Sequence, residues 1–256
     1  MNKKSLILSS VSILLLSSAL FVSANHSWGT YHWARTQNPF TLKLGDNVSI
    51  NWDSYLSTAS LDWSQSDVLD TAVVAGQART NCKAIAGKIE VCNKKYGRNG
   101  WLGLAQIWIS GDHITQATTK LNDTYFNTPT YNTPGWKSLV MCQEIGHTFG
   151  LDHQDEDFNN SPIIPHTCMD YFTPDANEIV HPNQHDYDQL STIYSHLDSN
   201  TTIKSSDPKA RNGEINLEDP SEWGKAISQD TKGRDNEFEK DLGNGKKLIT
   251  HVFWVK

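Results

Sequence analysis

The chain has 256 residues, of which 37% are hydrophobic and 20% are charged, so its composition is that of a globular protein. Its 22 basic and 29 acidic side chains give a net charge of −7. This acidic excess, without any basic run, argues against a protein that binds nucleic acid through the phosphates. The length is sufficient for one large domain with a full hydrophobic core.

The first 24 residues have the pattern of a secretory signal peptide. Lys3 and Lys4 precede an uncharged apolar stretch, which ends in the small residues that a signal peptidase reads, the last of them Ala24. A membrane anchor is the alternative interpretation, but the stretch is short for one and is interrupted by serines. We therefore predict cleavage after Ala24, secretion, and no contact of the mature protein with a membrane.

Four cysteines follow the signal segment: Cys82, Cys92, Cys142 and Cys168. An even number of cysteines in an exported protein predicts two disulfide bonds. Because Cys82 and Cys92 are near each other in sequence, we favour the pairs 82–92 and 142–168 among the three connectivities. A zinc cluster made of cysteines is the alternative, but the short Cys-x-x-Cys pairs of such sites are missing.

The first half of the domain is predicted to contain mainly strands. Residues 40–44 alternate apolar and polar side chains, which indicates a strand, whereas the apolar residues of 68–75 have helical spacing. Strands are also predicted at 88–92, 102–109 and 112–121. The middle one suits either an edge strand that pairs with an extended peptide or an interior strand.

The second half contains the best-defined helix. Thr133 is placed to cap it, Pro134 to be its first residue and Gly150 to end it. A further helix is predicted over 182–196. These elements predict an α+β domain over residues 25–198. Residues 199–256 are predicted to be a polar extension that ends in one strand and takes no part in the site.

The residues that point to chemistry lie around the end of this helix. Gln143 and His147 are four residues apart and therefore share a helix face, with Glu144 beside that face. The turn at Gly150 lets His153 approach the same point. Two imidazoles and a third donor beside a carboxylate are the arrangement with which a catalytic zinc keeps three protein ligands and one water.

This segment resembles the metzincin zinc peptidases, and most closely the matrixin type, whose pattern is His-Glu-x-x-His-x-x-Gly-x-x-His followed by a methionine turn. The sequence Thr-Cys-Met-Asp-Tyr around Met169 is similar to that turn. The resemblance implies a zincin-like fold: a mixed twisted sheet, an active-site helix, the methionine turn and a C-terminal helix. It implies His147 and His153 as ligands of Zn²⁺, and Glu144 as the general base.

Two more roles follow from the resemblance, and one residue departs from it. Met169 is implied as the floor beneath the metal, and Tyr171 as a hydrogen-bond partner of the transition state. Gln143 stands where the family has its first histidine. An amide oxygen is a weaker zinc donor than imidazole, so Gln143 is a candidate third ligand of low affinity. His166 is the candidate substitute.

A second cation is also considered, at the acidic residues 155–157. Matrixin-like domains often hold Ca²⁺, but no full set of oxygen ligands is present there, and a solvated acidic loop is the simpler interpretation.

The sequence thus predicts a secreted, monomeric zinc endopeptidase that acts on protein or peptide substrates. The alternative is a catalytically weak or inactive binding protein that keeps this fold.

Overall fold

A computed structural model describes residues 25–77, 82–158, 166–203 and 217–256, and the predicted signal peptide lies outside these ranges. The described residues form a mixed sheet of nine strands, against which three of the four α-helices pack through a common apolar core. Across these ranges, no helix combines the length and the apolar character that a membrane crossing requires.

The strands are β1 (His32–Trp33), β2 (Phe40–Asn47), β3 (Leu69–Ala75), β4 (Ile89–Lys94), β5 (Trp101–Ser110), β6 (His113–Asn122), β7 (Lys225–Gln229), β8 (Asp235–Gly243) and β9 (Lys246–Trp254). The helices are α1 (Asp53–Trp63), α2 (Asp123–Phe126), α3 (Pro134–His147) and α4 (Gln184–Ile193), and a short 3-10 helix covers Pro220–Glu222.

The sheet has a parallel half and an antiparallel half. Its order is β3-β2-β4-β6-β5-β9-β8-β7, and β1 pairs with the beginning of β6. Strands β3, β2, β4 and β6 are parallel, whereas β5 and the three C-terminal strands run antiparallel to their neighbours. An α+β class with a mixed sheet, as predicted, is therefore confirmed.

The helix predicted over 68–75 is wrong, because that segment forms strand β3. It pairs in parallel with β2 over seven residues, from Leu69 opposite Phe40 to Ala75 opposite Asp46. The segment is too short for a stable helix, and its spacing of apolar residues fits both periods, so pairing with β2 decides its structure. The preceding helix α1 was not predicted, and its N-cap, Trp52, makes no side-chain capping bond.

Helix α3 begins as the sequence predicts. The Thr133 side chain accepts a hydrogen bond from the Trp136 backbone N–H at 3.2 Å, and Pro134 is the first helical residue. Gly150 has a φ of 94°, which glycine adopts far more readily than other residues. A Cβ atom at Gly150 would lie 2.1 Å from the Tyr31 carbonyl oxygen, so the turn after α3 also requires glycine for its close approach.

Residues after 198, predicted to form a polar extension with one strand, contribute three strands to the sheet: β7, β8 and β9. Strand β9 pairs along the whole of β5, which places β5 inside the sheet and its residues out of contact with solvent, except for Ser110. Of the two interpretations of 102–109, the interior strand is therefore correct. A second apolar cluster fastens the C-terminal strands to β5; it contains Trp101, Leu104, Trp223, Phe238 and Val252.

A chain that ends at Ser199 is expected not to fold into a soluble monomer. It would lose β7, β8 and β9, and the long apolar edge of β5 would become exposed, which favours aggregation. Size-exclusion chromatography and circular dichroism of the shortened and full-length chains check this. A soluble monomer with the full-length chain's helical signal would contradict it.

The structure joins Cys82 to Cys92 and Cys142 to Cys168, the two pairs favoured from the sequence. The second bond connects the middle of α3 to the residue before Met169. It therefore closes a loop of 26 residues around the motif that begins at Gln143.

Candidate metal centre

Three histidines converge at the end of α3. His147 lies on the last turn of α3, His153 follows the turn at Gly150, and His251 lies on β9. One ring nitrogen from each histidine lies within 4.8 Å of the other two. All three side chains are buried, and Glu144 is buried beside them. The structure therefore brings together the two predicted ligands and a third imidazole that the sequence analysis missed.

The orientation of the first two imidazoles is fixed by hydrogen bonds at Nδ1. His147 Nδ1 lies 2.9 Å from the Leu151 carbonyl oxygen, and His153 Nδ1 lies 2.7 Å from Glu156 Oε1. These acceptors favour a proton on Nδ1, which leaves the Nε2 atom of each ring unprotonated, with a lone pair that can bind a metal ion. Both Nε2 atoms are buried and have no hydrogen-bond partner in the structure. They are therefore free to bind a cation.

His251 reaches the site through strand pairing. It lies opposite Ala105 of β5, and its ring centroid is 3.9 Å from that of His147 and 4.6 Å from that of His153. Its Nδ1 lies 3.2 Å from Glu144 Oε2. The only signal for His251 in the sequence is a lone histidine inside an apolar strand, and this signal does not reveal its neighbours.

Burial controls the protonation of these groups. It lowers the pKa of His147 and His251, which favours the neutral imidazole that binds metal. It raises the pKa of Glu144, which makes the carboxylate a stronger proton acceptor. In His153, burial acts to lower the pKa, but the hydrogen bond to Glu156 and nearby carboxylate charges raise it.

Gln143 makes different contacts from those expected of a ligand. Its amide nitrogen donates hydrogen bonds to the carbonyl oxygens of Cys168, at 2.8 Å, and Asp170, at 3.3 Å. It therefore holds the segment around Met169 against α3. Its Oε1 atom is buried without a partner, so metal binding by Gln143 stays a prediction.

Met169 and Tyr171 both lie next to the centre. A Cβ atom at Gly146 would lie 2.6 Å from Met169 Sδ, so the glycine of the motif makes room for the methionine. The Tyr171 ring centroid is 4.4 Å from that of His153, and its hydroxyl lies 3.2 Å from His251 Nε2. His166 stacks on Phe172 instead and lies outside the group of three histidines.

The acidic residues 155–157 support the centre through Glu156. Its Oε1 accepts hydrogen bonds from His153 and, at 2.9 Å, from the amide of Asn236 on β8. Within the described ranges, no three carboxylates converge without a histidine among them. The calcium site therefore stays a prediction.

The centre is closed to solvent in this conformation. The side chains of Glu144, His147 and His251 have no exposed surface. Trp28 covers the two histidines, with its ring centroid 5.6 Å from that of His147 and 6.4 Å from that of His251. The Trp28 backbone N–H donates to the carbonyl oxygen of Gly150, so this cover is attached to the turn after α3. A molecule from solvent therefore reaches Glu144 only after part of this cover moves.

The donor set fits zinc. Neutral imidazole nitrogens are among the usual ligands of Zn²⁺, and three protein ligands with one open position are typical of catalytic sites. The direct evidence for a bound cation is the pair of Nε2 atoms, of His147 and His153, that are buried without a hydrogen-bond partner. Buried polar atoms usually have such a partner. His147, His153 and His251 are therefore the residues that would hold the ion.

No protein-family model matches the chain, and no curated protein matches it. The solved structures that are similar to part of it include the following two, each at 13% sequence identity. The first is high choriolytic enzyme 1, a hatching enzyme zinc-protease from Oryzias latipes, with a TM-score of 0.36 over 64% of this chain and 94% of that one. The second is myroilysin, with a TM-score of 0.37 over 66% of this chain and 98% of that one. Likenesses at this level leave the functional argument to the residues of the site.

Proposed function

We propose that this protein is a secreted zinc-dependent endopeptidase in which His147, His153 and His251 hold the metal and Glu144 is the general base. The observation that carries the proposal is the convergence of three buried imidazoles beside a buried carboxylate. The two disulfide bonds suit a protein made for an oxidising compartment. The substrate would be a protein or peptide, and the enzyme a monomer.

When bound, Zn²⁺ would polarise the scissile carbonyl group and lower the pKa of a water molecule. The chain itself supplies the proton transfer. Glu144 Oε2 is held near His251 Nδ1, while Glu144 Oε1 has no partner and is free to accept a proton from the attacking water. The same oxygen would then return the proton to the leaving amine.

The space for this carboxylate depends on a glycine of β5. A Cβ atom at Gly103 would lie 2.7 Å from Glu144 Oε1, so any larger residue there would displace the base. Tyr171 is proposed to act as a positioning residue, because its hydroxyl contacts His251. This differs from the direct contact with the transition state that the sequence resemblance implies.

The test is hydrolysis of a mixture of fluorogenic peptides by the purified full-length mature protein. We expect cleavage in the presence of Zn²⁺. Cleavage should stop when a chelator removes the metal and should return when Zn²⁺ is restored. A protein that binds zinc and cleaves none of the peptides would contradict the proposed activity.

The second candidate is a binding protein that keeps a closed metal centre without turnover. Complete burial of Glu144, His147 and His251 favours it, because no substrate reaches these side chains in the observed conformation. In the same assay, this candidate predicts bound zinc without chelator-sensitive cleavage. One purified sample therefore distinguishes the two functions.

A further inference from the structure

A second group of histidines lies away from the candidate metal centre and surrounds one carboxylate oxygen. His32 is on β1, His113 begins β6, and His196 and Asp198 follow α4. The distances from Asp198 Oδ1 to the Nε2 atoms are 3.5 Å for His32, 3.2 Å for His113 and 3.7 Å for His196. The Nε2 atoms of His32 and His196 are 3.2 Å apart.

These distances match the spacing of ligands around a tetrahedral metal ion. Zinc binds imidazole nitrogen and carboxylate oxygen at about 2.0–2.1 Å, which places neighbouring ligand atoms of a tetrahedral site about 3.3 Å apart. The four distances lie between 3.2 and 3.7 Å. The ligand atoms of His32, His113 and Asp198 all lie within 4.8 Å of one another, and His196 Nε2 lies near those of His32 and Asp198, so a shift of the His196 side chain would let all four share one ion.

Further contacts orient two of these side chains toward the common point. His32 Nδ1 lies 2.8 Å from the Thr30 carbonyl oxygen, which favours a proton on Nδ1 and a lone pair on Nε2. Asp198 Oδ2 accepts hydrogen bonds from the Arg35 side chain, at 2.9 Å, and from its backbone N–H, at 3.1 Å. Asp198 Oδ1 is thus left to face the imidazoles.

This arrangement is favourable with a cation at its centre. A cation at the common point would be attracted by the negative charge on Asp198 Oδ1 and by the Nε2 lone pair of each imidazole that carries its proton on Nδ1. His32 and Asp198 are also largely buried, so solvent screens this attraction only weakly. Hydrogen bonds at the ligand atom that faces away from the ion, like those at His32 Nδ1 and Asp198 Oδ2, are usual around metal sites.

We propose that His32, His113, His196 and Asp198 bind a second Zn²⁺ ion with a structural role. Three imidazoles and one carboxylate would fill all four positions, as in structural sites, and leave none for a substrate. The ion would join β1, the hairpin between β5 and β6, and the segment after α4. The proposal is independent of the peptidase function, because it rests on a separate set of residues.

The test is the zinc content of the dialysed full-length mature protein, measured by inductively coupled plasma mass spectrometry. Wild type is expected to hold two zinc ions per chain, and His113→Gln and His196→Gln one each. Both histidines are partly exposed, with 34% and 53% of their side-chain surface accessible, so these substitutions are compatible with folding. His181→Gln is the matched control, because His181 is also half exposed and pairs with one carboxylate, Asp62. The His181→Gln variant is expected to hold two zinc ions per chain.

A second measurement uses Co²⁺ in place of zinc, because tetrahedral Co²⁺ has a strong visible absorption that does not depend on activity. Loss of about half of this absorption in His113→Gln would support the proposal. A wild-type protein with one zinc ion, which His251→Gln removes and His113→Gln leaves in place, would overturn it. Failure of peptide cleavage would not affect either readout.

Discussion

His251→Gln is expected to weaken zinc binding at the candidate metal centre by at least about 10-fold. Residues that only support a ligand are typically worth about 10- to 100-fold in metal affinity, so loss of a ligand should have at least this effect. Glutamine retains hydrogen-bonding atoms toward Glu144 and Tyr171, which limits damage to the fold. The measurement is competition for zinc with a chromogenic chelator, together with circular dichroism.

The matched variant is Gln143→Met, which removes the third ligand that the sequence motif suggests. It is expected to retain the zinc affinity of wild type. It should lower the free energy of unfolding by about 1–3 kcal/mol, because the carbonyl groups of Cys168 and Asp170 lose a buried donor. The opposite pattern, with zinc lost from Gln143→Met and retained by His251→Gln, would assign the third ligand to Gln143.

Glu144→Gln is expected to reduce peptide hydrolysis by about 10²- to 10⁴-fold while the zinc content stays unchanged. This is the usual contribution of a general base, and the amide has nearly the same shape as the carboxylate but cannot accept the proton. Steady-state cleavage of a fluorogenic peptide and metal analysis of the same sample check both parts of the prediction.

Glu237→Gln provides the comparison for this result. Glu237 is a second buried carboxylate, on β8 opposite His251, and burial raises its pKa. It makes no hydrogen bond with the histidines of the centre among the contacts of the described residues, so its variant is expected to keep at least a tenth of the activity. A larger loss from Glu237→Gln than from Glu144→Gln would transfer the role of base to Glu237.

The features that the sequence predicted well depend on local geometry. The capped start of α3 requires only Thr133, Pro134 and the following turn. The shared face of Gln143 and His147 follows from the helical repeat, and the return of the chain to His153 follows from the glycine at position 150. These relations hold within about ten residues, so the motif alone was sufficient to predict two of the three imidazoles of the centre.

The features that the sequence did not predict depend on partners that are distant in the chain. Segment 68–75 has no decisive period of its own, and β2 makes it a strand. The identity of β5 as an interior strand also depends on β9, which the sequence analysis had placed outside the site.

The sequence by itself thus determined the capped helix, the pair formed by His147 and His153, and the place of the Glu144 carboxylate beside them. Only the tertiary structure decided that His251 lies beside these two imidazoles and that Gln143 holds the segment around Met169 against α3. The physical reason is that hydrogen bonds between β5 and β9 join residues far apart in the chain, at a register that no local spacing encodes. A histidine in an apolar strand acquires a metal-binding geometry only when that pairing places it beside the other two.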